Sequence, residues 1–251
     1  VIDQAINDTS FEVDLIDGNG ETNISDVAVT LMDAHDASIA LQWMHTLNAF
    51  GLPDTIPIDP IPTYDVIVHT VPQLRRNGVR FQPRMHSHVR FENAGQGVLR
   101  AEFARGLRNG YDQLPITVFV AGSSVPLIVL PVNDEVHLLE GYYDVYFPTH
   151  PPVLISDVSI QEGAVSPVSI PQPGVLQLNG FLMGYAAVLD ANQEVVYQWK
   201  SGKSTPIGQH ILQPGDYTFV YRARSAQSIE FSFVKSFNIR SGNTTHLSIN
   251  G

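Results

Sequence analysis

Apolar residues occupy every second position in many short stretches of this chain, and these stretches return at a fixed spacing. Three equally spaced sets, each at intervals of 79 residues, are Val79, Val158 and Phe237, then Val89, Val168 and Leu247, then Phe91, Ile170 and Ile249. Alternation of this kind is typical of half-buried β-strands. A fixed internal period indicates tandem modules, so the chain of 251 residues is predicted to contain three copies of one unit.

A tyrosine opens a strand at the same place in each copy. Tyr64, Tyr143 and Tyr217 follow the segments IDPIPT, LLEGY and LQPGD, in which Pro and Gly favour sharp turns. Each tyrosine shares a strand face with apolar residues, which predicts a buried corner residue rather than a binding residue. In module three the next strand begins five residues later than in the other two copies, which predicts a longer loop around residues 224–228.

These patterns predict an all-β fold of three tandem antiparallel β-sandwich modules with about seven strands each. The predicted domains are an N-terminal linker at 1–10 and modules at 11–93, 94–172 and 173–251. Module one is expected to have strands near 11–16, 27–32, 38–44, 55–58, 64–70, 77–81 and 88–92. Residues 34–50 are the best helical candidate, but they align with the strand-like residues 191–200, which argues against a helix.

The composition mainly excludes classes of protein and kinds of site. The chain has 19 Gly, 17 Pro and 16% charged residues, which suits a β-fold with many turns. It has no Cys, which excludes disulfides, thiolate metal ligands and cysteine catalysis and is compatible with bacterial export. It has no run of about 18 apolar residues, so no membrane insertion is expected. The chain starts at Val1 without Met or a signal peptide, and we expect a mature form or an excised fragment.

Charge is distributed in four blocks. Residues 1–74 carry −12, 75–108 carry +6, 109–199 carry −9 and 200–251 carry +4, for a net charge of −11. So acidic a chain is not expected to bind nucleic acid. Solvated strand faces of uneven composition are the preferred interpretation. The alternative is pairing of unlike blocks between modules or head to tail between chains, which would allow self-association into a filament.

Five side chains with oxygen ligands lie close together in the segment DGNGETNISD and form a candidate calcium site. They are Asp17, Asn19, Glu21, Asn23 and Asp26. Hard cations bind several oxygen ligands from a short loop. The EF-hand spacing fails, because Thr22 stands where the sharp-turn Gly belongs, and Asp-Gly and Asn-Gly are ordinary hairpin residues. Turn formation is the preferred interpretation, and calcium is the one cofactor left open.

Two histidines and two tryptophans each allow two interpretations. His86 and His88 would project to one side of an extended segment, as metal-binding imidazoles can. The carboxylate close to them in sequence is Glu92, so a solvated turn is preferred and no metal site is predicted there. Trp43 and Trp199 share a strand face with apolar neighbours, which favours core packing over stacking on a sugar.

No catalytic arrangement is recognisable in the sequence. Ser123 and Ser124 in AGSSV lack the nucleophile-elbow pattern, and the zinc-protease, P-loop and dinucleotide motifs are absent. Asp65 and Asp144 recur at one position of two modules, which indicates a structural role. The chain is therefore predicted not to be an enzyme and to have no catalytic or cofactor-binding residues. An enzyme with a scattered site is the alternative.

Short motifs follow the order strand, Asp/Asn-Gly turn, strand ending in Asp-Ala, a further strand, and then L-x-P-G-x-Y. The first three lie at residues 13–17, 18–20 and 27–34 of module one, and L-x-P-G-x-Y lies at 212–217 of module three. This order resembles transthyretin-like, carboxypeptidase-regulatory-like β-sandwiches. TYDVIVHTVP, SIPQPGVLQL and ILQPGDYTFVYR resemble the region that follows the von Willebrand A domain in exported proteins of Bacteroidetes-type bacteria. The A domain's D-x-S-x-S metal motif is missing, so its metal and adhesion chemistry are not carried over.

Together these features predict a non-enzymatic exported module array that forms the stalk of a cell-surface protein. The alternatives are a subunit of a self-assembling extracellular filament and an accessory region of a secreted hydrolase. The expected location is extracellular or in the bacterial cell envelope. The expected partners are a protein or glycan at the cell surface, or a second copy of the chain.

Overall fold

The computed structural model describes residues 8–21, 24–104, 111, 113–203, 205–228 and 232–249. Within these residues the regular elements are 21 β-strands, and none of the described residues is helical. No helix among them is available to cross a membrane. The all-β prediction is therefore confirmed, and residues 34–50 contain a strand rather than a helix.

Module one is a sandwich of a three-stranded and a four-stranded sheet. Its strands are β1 (Ser10–Leu15), β2 (Val27–Asp33), β3 (Ile39–His45), β4 (Ile56–Pro57), β5 (Tyr64–Val68), β6 (Leu74–Val79) and β7 (His86–Phe91). The sheet orders are β4–β1–β7 and β3–β2–β5–β6. The strands predicted for this module overlap these seven.

Modules two and three repeat this architecture. Module two contains β8 (Gln96–Phe103), β9 (Pro115–Val120), β10 (Pro126–Pro131), β11 (Glu135–Leu139), β12 (Gly141–Phe147), β13 (Val153–Ile160) and β14 (Val165–Ile170). Module three contains β15 (Gly174–Leu182), β16 (Gly184–Leu189), β17 (Val195–Lys200), β18 (Thr205–Leu212), β19 (Gly215–Ala223), β20 (Ser232–Ile239) and β21 (Thr244–Ser248). Their sheets are β11–β8–β14 and β10–β9–β12–β13, then β18–β15–β21 and β17–β16–β19–β20.

The first and last strands of every module are neighbours and run parallel. The three parallel pairs are β1–β7, β8–β14 and β15–β21, and the other strand pairs are antiparallel. Three equivalent hydrogen bonds from backbone N–H to carbonyl oxygen mark the start of these pairs: Ser10 to Met85 (3.3 Å), Val98 to Ala164 (2.9 Å) and Val175 to Asn243 (2.9 Å). One parallel pair thus closes each otherwise antiparallel sandwich.

Each module has its own core between its two sheets. The first strands contribute Phe11, Leu99 and Leu176, all fully buried. The three predicted corner tyrosines are also buried, and their hydroxyls donate to backbone carbonyl oxygens: Tyr64 to Asp59 (3.0 Å), Tyr143 to Leu139 (2.8 Å) and Tyr217 to Gln213 (2.7 Å). The prediction of structural corner residues is confirmed.

Neighbouring modules are connected by the same backbone hydrogen bond, and we call these two connections the first joint and the second joint. In the first joint the Leu139 amide donates to the Val71 carbonyl oxygen at 2.7 Å. In the second joint the Gln213 amide donates to the His150 carbonyl oxygen, also at 2.7 Å. Each donor lies four residues before a corner tyrosine, so both joints dock a loop of one module onto the turn that opens a strand in the next.

A buried threonine supports the loop in each joint. The Thr70 hydroxyl donates to the Pro72 carbonyl oxygen at 2.7 Å, and the Thr149 hydroxyl donates to that of Pro151 at 2.6 Å. Both threonines are buried. The 79-residue repeat therefore extends to the connections between modules as well as to the modules themselves.

The predicted domain limits at 11–93, 94–172 and 173–251 remain predictions. β8 and β15 begin at Gln96 and Gly174, and β1 begins at Ser10. Residues 1–7 of the predicted linker lie outside the described residues. Tyr217 pairs with Phe237, twenty residues further on, whereas Tyr64 pairs with Val79 and Tyr143 with Val158, fifteen residues further on, so the five extra residues of module three lie between β19 and β20 or within these strands. Residues 229–231 lie outside the described residues.

Candidate functional site

The outer face of the β4–β1–β7 sheet in module one gathers the strongest group of metal-ligating side chains among the described residues. β1 and β7 pair in register, so alternate residues of both strands face outwards side by side. The outward pairs are Ser10 with His86, Glu12 with His88, and Asp14 with Arg90. The inward residues of the same strands form the core. We call these six outward residues the outer ladder.

The side chains of the outer ladder are in mutual contact. Glu12 carboxylate oxygens lie 3.4 Å from His86 Nε2 and 2.8 Å from His88 Nδ1. The two imidazole rings meet edge to face, with centroids 5.1 Å apart. His86 Nδ1 is 2.9 Å from Ser10 Oγ, and His88 Nδ1 is 3.1 Å from Asp14 Oδ2. Glu12, His86 and His88 thus present three ligand atoms that all lie within 4.8 Å of one another.

The structure corrects the sequence interpretation of the two histidines. His86 and His88 lie on β7 rather than in a solvated turn, and the carboxylates beside them are Glu12 and Asp14 rather than Glu92. The partners were missed because they are 74 to 76 residues away in sequence. The available signal was the alternation of polar residues at 10, 12 and 14, which marks an outward face but not the strand beside it.

The calcium candidates are placed in and after the turn between β1 and β2. Asp17 is buried, and its Oδ1 accepts the backbone N–H groups of Asn19 and Glu21 at 2.8 Å each. Asp190 makes the same two bonds in module three, to Asn192 and Glu194 at 2.9 Å each. Asp17 therefore acts as a turn-forming residue, as the preferred interpretation expected.

Among the described residues, the acidic calcium candidates Asp17, Glu21 and Asp26 do not converge into one set of ligand atoms. Asp26 adopts a left-handed backbone conformation, with φ of 62°, and its Oδ2 accepts a hydrogen bond from Ser25. Asn23 lies outside the described residues. Calcium binding by these residues stays a prediction.

Two carboxylates of module two approach the Asp17 turn at the first joint. Glu140 lies against Gly18, where a Cβ atom would come within 3.2 Å of its Oε2. Burial raises the pKa of Glu162, and the negative charges of Asp17, Glu140 and Glu21 raise it further. The first joint therefore concentrates carboxylates from both modules.

The second joint is aromatic instead. The His150 ring lies 4.7 Å from the ring of Tyr197, which stacks on Trp199 at 5.6 Å and contacts His210 at 5.0 Å. The Tyr197 hydroxyl donates to the Ile211 carbonyl oxygen at 3.1 Å. Burial lowers the pKa of His150, which favours its neutral form.

The tryptophans are packing residues, as expected. Trp43 packs on the core of module one and meets Phe11 edge to face at 6.0 Å. Trp199 packs on the core of module three and lies 6.5 Å from Phe219. Both are partly exposed, so they lie at the margins of the cores.

A cleft of about 530 Å³ lies at the first joint, lined by residues of modules one and two. Among its ionisable residues, His69 bonds to Thr30 Oγ1 at 2.7 Å through Nε2, and Glu135 forms an ion pair with Arg100. Both side chains thus have partners within their own module. The prediction that the chain is not an enzyme is neither supported nor contradicted by this cleft.

The ion pairs between described residues join strands of the same module. Arg75 pairs with Asp65 at 2.7 Å, and this hydrogen bond lowers the pKa of Asp65. Arg90 lies 3.3 Å from Asp14. These pairs place basic residues of the +6 block beside acidic residues of their own module, so pairing of charge blocks between modules gains no support from them.

No protein-family model and no curated protein matches the chain. Solved structures similar to it include the TIE protein of Bacillus anthracis, at 13% identity and a TM-score of 0.27, covering 96% of this chain and 50% of that one. BcpA, the major pilin subunit of Bacillus cereus, has 12% identity and a TM-score of 0.23, covering 96% and 98%. A streptococcal ancillary pilin has 11% identity and a TM-score of 0.29, with the same coverage. The chain spans half the length of the first of these proteins, and values this low support no inference about function.

Proposed function

We propose that the chain is a force-bearing spacer, a stalk segment of an exported bacterial cell-surface protein. The observation that carries this proposal is the parallel pairing of the first and last strand in all three modules. In every module the chain therefore enters through the first strand and leaves through the last, and these two strands are hydrogen-bonded to each other.

Parallel terminal strands place the two ends of a module at opposite ends of the strand pair. The chain enters at the N-terminal end of the first strand and leaves at the C-terminal end of the last. Tension between these points acts along the strands, so the hydrogen bonds that join them are loaded together in shear. In an antiparallel terminal pair, entry and exit would lie at the same end and the bonds would open one at a time. The observed pairing therefore suits a protein that is pulled from its ends.

The two joints support the same proposal. The core of module two packs against Val71 of module one and Ile211 of module three, in addition to the two backbone hydrogen bonds. Short connections with packed side chains limit bending between modules. A spacer of this construction would hold its ends apart rather than act as a loose tether.

A stalk takes precedence over a filament because the joint is not repeated on the outer modules. The position four residues before Tyr64 is Pro60, which has no amide hydrogen to donate. The position six residues after Tyr217, equivalent to Thr149, is Ala223. An end-to-end contact between copies would therefore need contacts other than those of the joints, and the filament remains the alternative.

The sequence motifs supply the module type, the non-enzymatic role and the class of partner. We assign the modules to the transthyretin-like, carboxypeptidase-regulatory-like type, and the chain to a non-enzymatic role outside the cell. The partner would be a surface protein or glycan. The hydrolase accessory region remains the rival from another functional class.

Single-molecule pulling from the two chain ends tests the proposal. The expected trace has three unfolding peaks, each releasing about 240 Å, since about 79 residues extend to roughly 3.3–3.6 Å each and a folded module already spans some 30 Å. Unfolding of all three modules at forces no higher than those measured when the same modules are peeled open across the strands would contradict the proposal.

A pair of proline variants in β14 identifies the element that bears the load. The Val98 N–H donates to the Ala164 carbonyl oxygen, so the backbone groups of residue 164 point towards β8. Successive residues of a strand point their backbone groups to opposite sides, so the Ser166 amide also points towards β8 and the Ser169 amide points away from it. The native Pro167 occupies another outward-directed position. Ser166→Pro should lower the unfolding force of one module out of three, whereas the matched control Ser169→Pro should leave all three peaks near their original force.

A further inference from the structure

We propose that Glu12, His86 and His88 form a binding site for a divalent transition-metal cation such as Zn²⁺. The proposal rests on the geometry of the outer ladder and is independent of the mechanical role. Two imidazoles and one carboxylate converge on one point of the sheet surface, with ligand atoms no more than 4.8 Å apart. Nitrogen-rich ligand sets of this kind suit zinc and its neighbours rather than calcium or magnesium.

The separations between ligand atoms are comparable with those around a tetrahedral ion. With zinc–ligand bonds of about 2.0–2.2 Å, two ligands of one tetrahedral zinc lie roughly 3.3–3.6 Å apart. Glu12 Oε2 and His86 Nε2 are 3.4 Å apart, and Glu12 Oε1 and His88 Nδ1 are 2.8 Å apart. The first distance lies in this range, and the second, to the other carboxylate oxygen, is shorter, so zinc would have to separate His88 from Glu12. Three protein ligands would leave a fourth position open to water or another molecule.

Neighbouring residues orient the ligands. Ser10 Oγ is 2.9 Å from His86 Nδ1, so a hydrogen bond from Nδ1–H to this oxygen leaves Nε2 free to bind metal. Asp14 Oδ2 lies 3.1 Å from His88 Nδ1 and adds negative charge beside the site. Arg90 Nε, 3.3 Å from the same oxygen, holds this carboxylate in place. The outer ladder thus contains both ligands and groups that position them.

The equivalent positions in the other modules show that the strand pair does not require this ligand set. In module two Arg100 faces Pro167 where Glu12 faces His88, and Val98 faces Val165 where Ser10 faces His86. In module three the corresponding pairs are Gln177 with His246 and Val175 with Thr244. Three modules of one architecture therefore place a complete Glu-His-His set in module one alone among these strand pairs.

The site is accessible from solvent and bridges two strands. The exposed fractions of the side chains are 17% for Glu12, 37% for His86 and 47% for His88. A bound ion would tie β1 to β7, which are joined otherwise by backbone hydrogen bonds and side-chain pairs. Metal binding should therefore stabilise module one selectively, because a ligand that binds the folded state raises its stability.

Isothermal titration of the untagged chain with ZnCl₂ tests the site. We expect one zinc ion per chain with micromolar affinity, and a higher melting temperature of one transition. His88→Ala and Glu12→Gln should each weaken binding at least about tenfold, the usual effect of losing a ligand or its support. The matched control is His246→Ala, which removes the equivalent histidine of module three and should leave the affinity unchanged.

A second measurement on the unaltered chain keeps the proposal testable if a variant fails to fold. Zinc should shift or broaden the imidazole C–H resonances of two histidines out of nine in the NMR spectrum. Co²⁺ should give a visible absorption band typical of low coordination number, and millimolar Ca²⁺ should not displace it. Absence of saturable zinc binding, perturbation of other histidines, or an unchanged affinity in His88→Ala would overturn the proposal.

Discussion

The two joints share one backbone geometry and differ in their side chains. Both use a loop carbonyl, at Val71 or His150, as the acceptor for the backbone amide four residues before a corner tyrosine. Around this bond the first joint gathers Asp17, Glu140 and Glu162, whereas the second packs His150 on Tyr197. The positions equivalent to Glu140 and Glu162 in the second joint are Pro214 and Ser241.

The backbone sets how the modules dock in both joints, whereas the side chains set how the stability of each joint depends on conditions. The repeated backbone bond and threonine set how each module docks on the next, and they are the same in both joints. Carboxylates brought together in the first joint repel one another, so its stability should depend on pH and salt. Aromatic packing in the second joint has little charge to screen, so its stability should depend on buried area.

The largest effect is expected from removing the aromatic contact of the second joint. Tyr197→Ala should destabilise module three by about 2 kcal/mol, below the range for fully buried aromatics because the ring is partly exposed. Hydrogen exchange should become faster at the Gln213 amide and stay unchanged at the Leu139 amide. Tyr185→Ala, at a ring that is 51% exposed in the same module, is the control and should cost less than about 1 kcal/mol. Equal acceleration of exchange at both amides would show that a change in the second joint also alters the first.

An intermediate and equal effect is expected from the two threonines. Thr70→Val and Thr149→Val each remove a hydroxyl that bonds to a proline carbonyl while keeping the side-chain shape. Each should cost about 1 kcal/mol, the usual net value of one such hydrogen bond. Urea unfolding measures the loss, and the Thr→Ser variants, which keep the hydroxyl, serve as controls. Clearly unequal losses would show that the joints differ in their backbone support as well.

The smallest effect is expected from relieving charge in the first joint. The pKa of Glu162 is raised in the folded chain, so the folded state binds more protons than the unfolded state between the ordinary and the raised pKa. Stability contributed by this group therefore falls as pH rises through that window. Glu162→Gln should stabilise the chain at pH 7 by a few tenths of a kcal/mol, the size of weak surface electrostatics, and make no difference at low pH.

Calorimetry at both pH values measures this change. Glu194→Gln removes the same charge from an exposed position in the turn between β16 and β17 of module three and serves as the control, with no pH-dependent gain expected. A loss of stability in Glu162→Gln at pH 7 would mean that the carboxylate has a favourable partner in the joint.

Most of the module architecture could be predicted from the sequence, and the candidate site could not. Phe11, Val13 and Leu15 identify the core face of β1 by their alternation, and Ser10, Glu12 and Asp14 identify the outer face, where Asp14 is itself covered by its neighbours. The same rule identified the buried corner tyrosines and the half-buried tryptophans. It gave no indication that His86 and His88 lie beside β1, because alternation has no information about which strand is the neighbour.

The sequence by itself determined the number of modules, the positions of their strands, and the residues that face each core. These properties depend on local alternation and on the 79-residue repeat, both of which are visible along a single chain. Tertiary structure alone decided that first and last strands pair in parallel, that Glu12 meets His88, and that carboxylates of two modules meet at Glu162. Such contacts join residues far apart in sequence, and they form because whole sheets must cover one another's apolar faces.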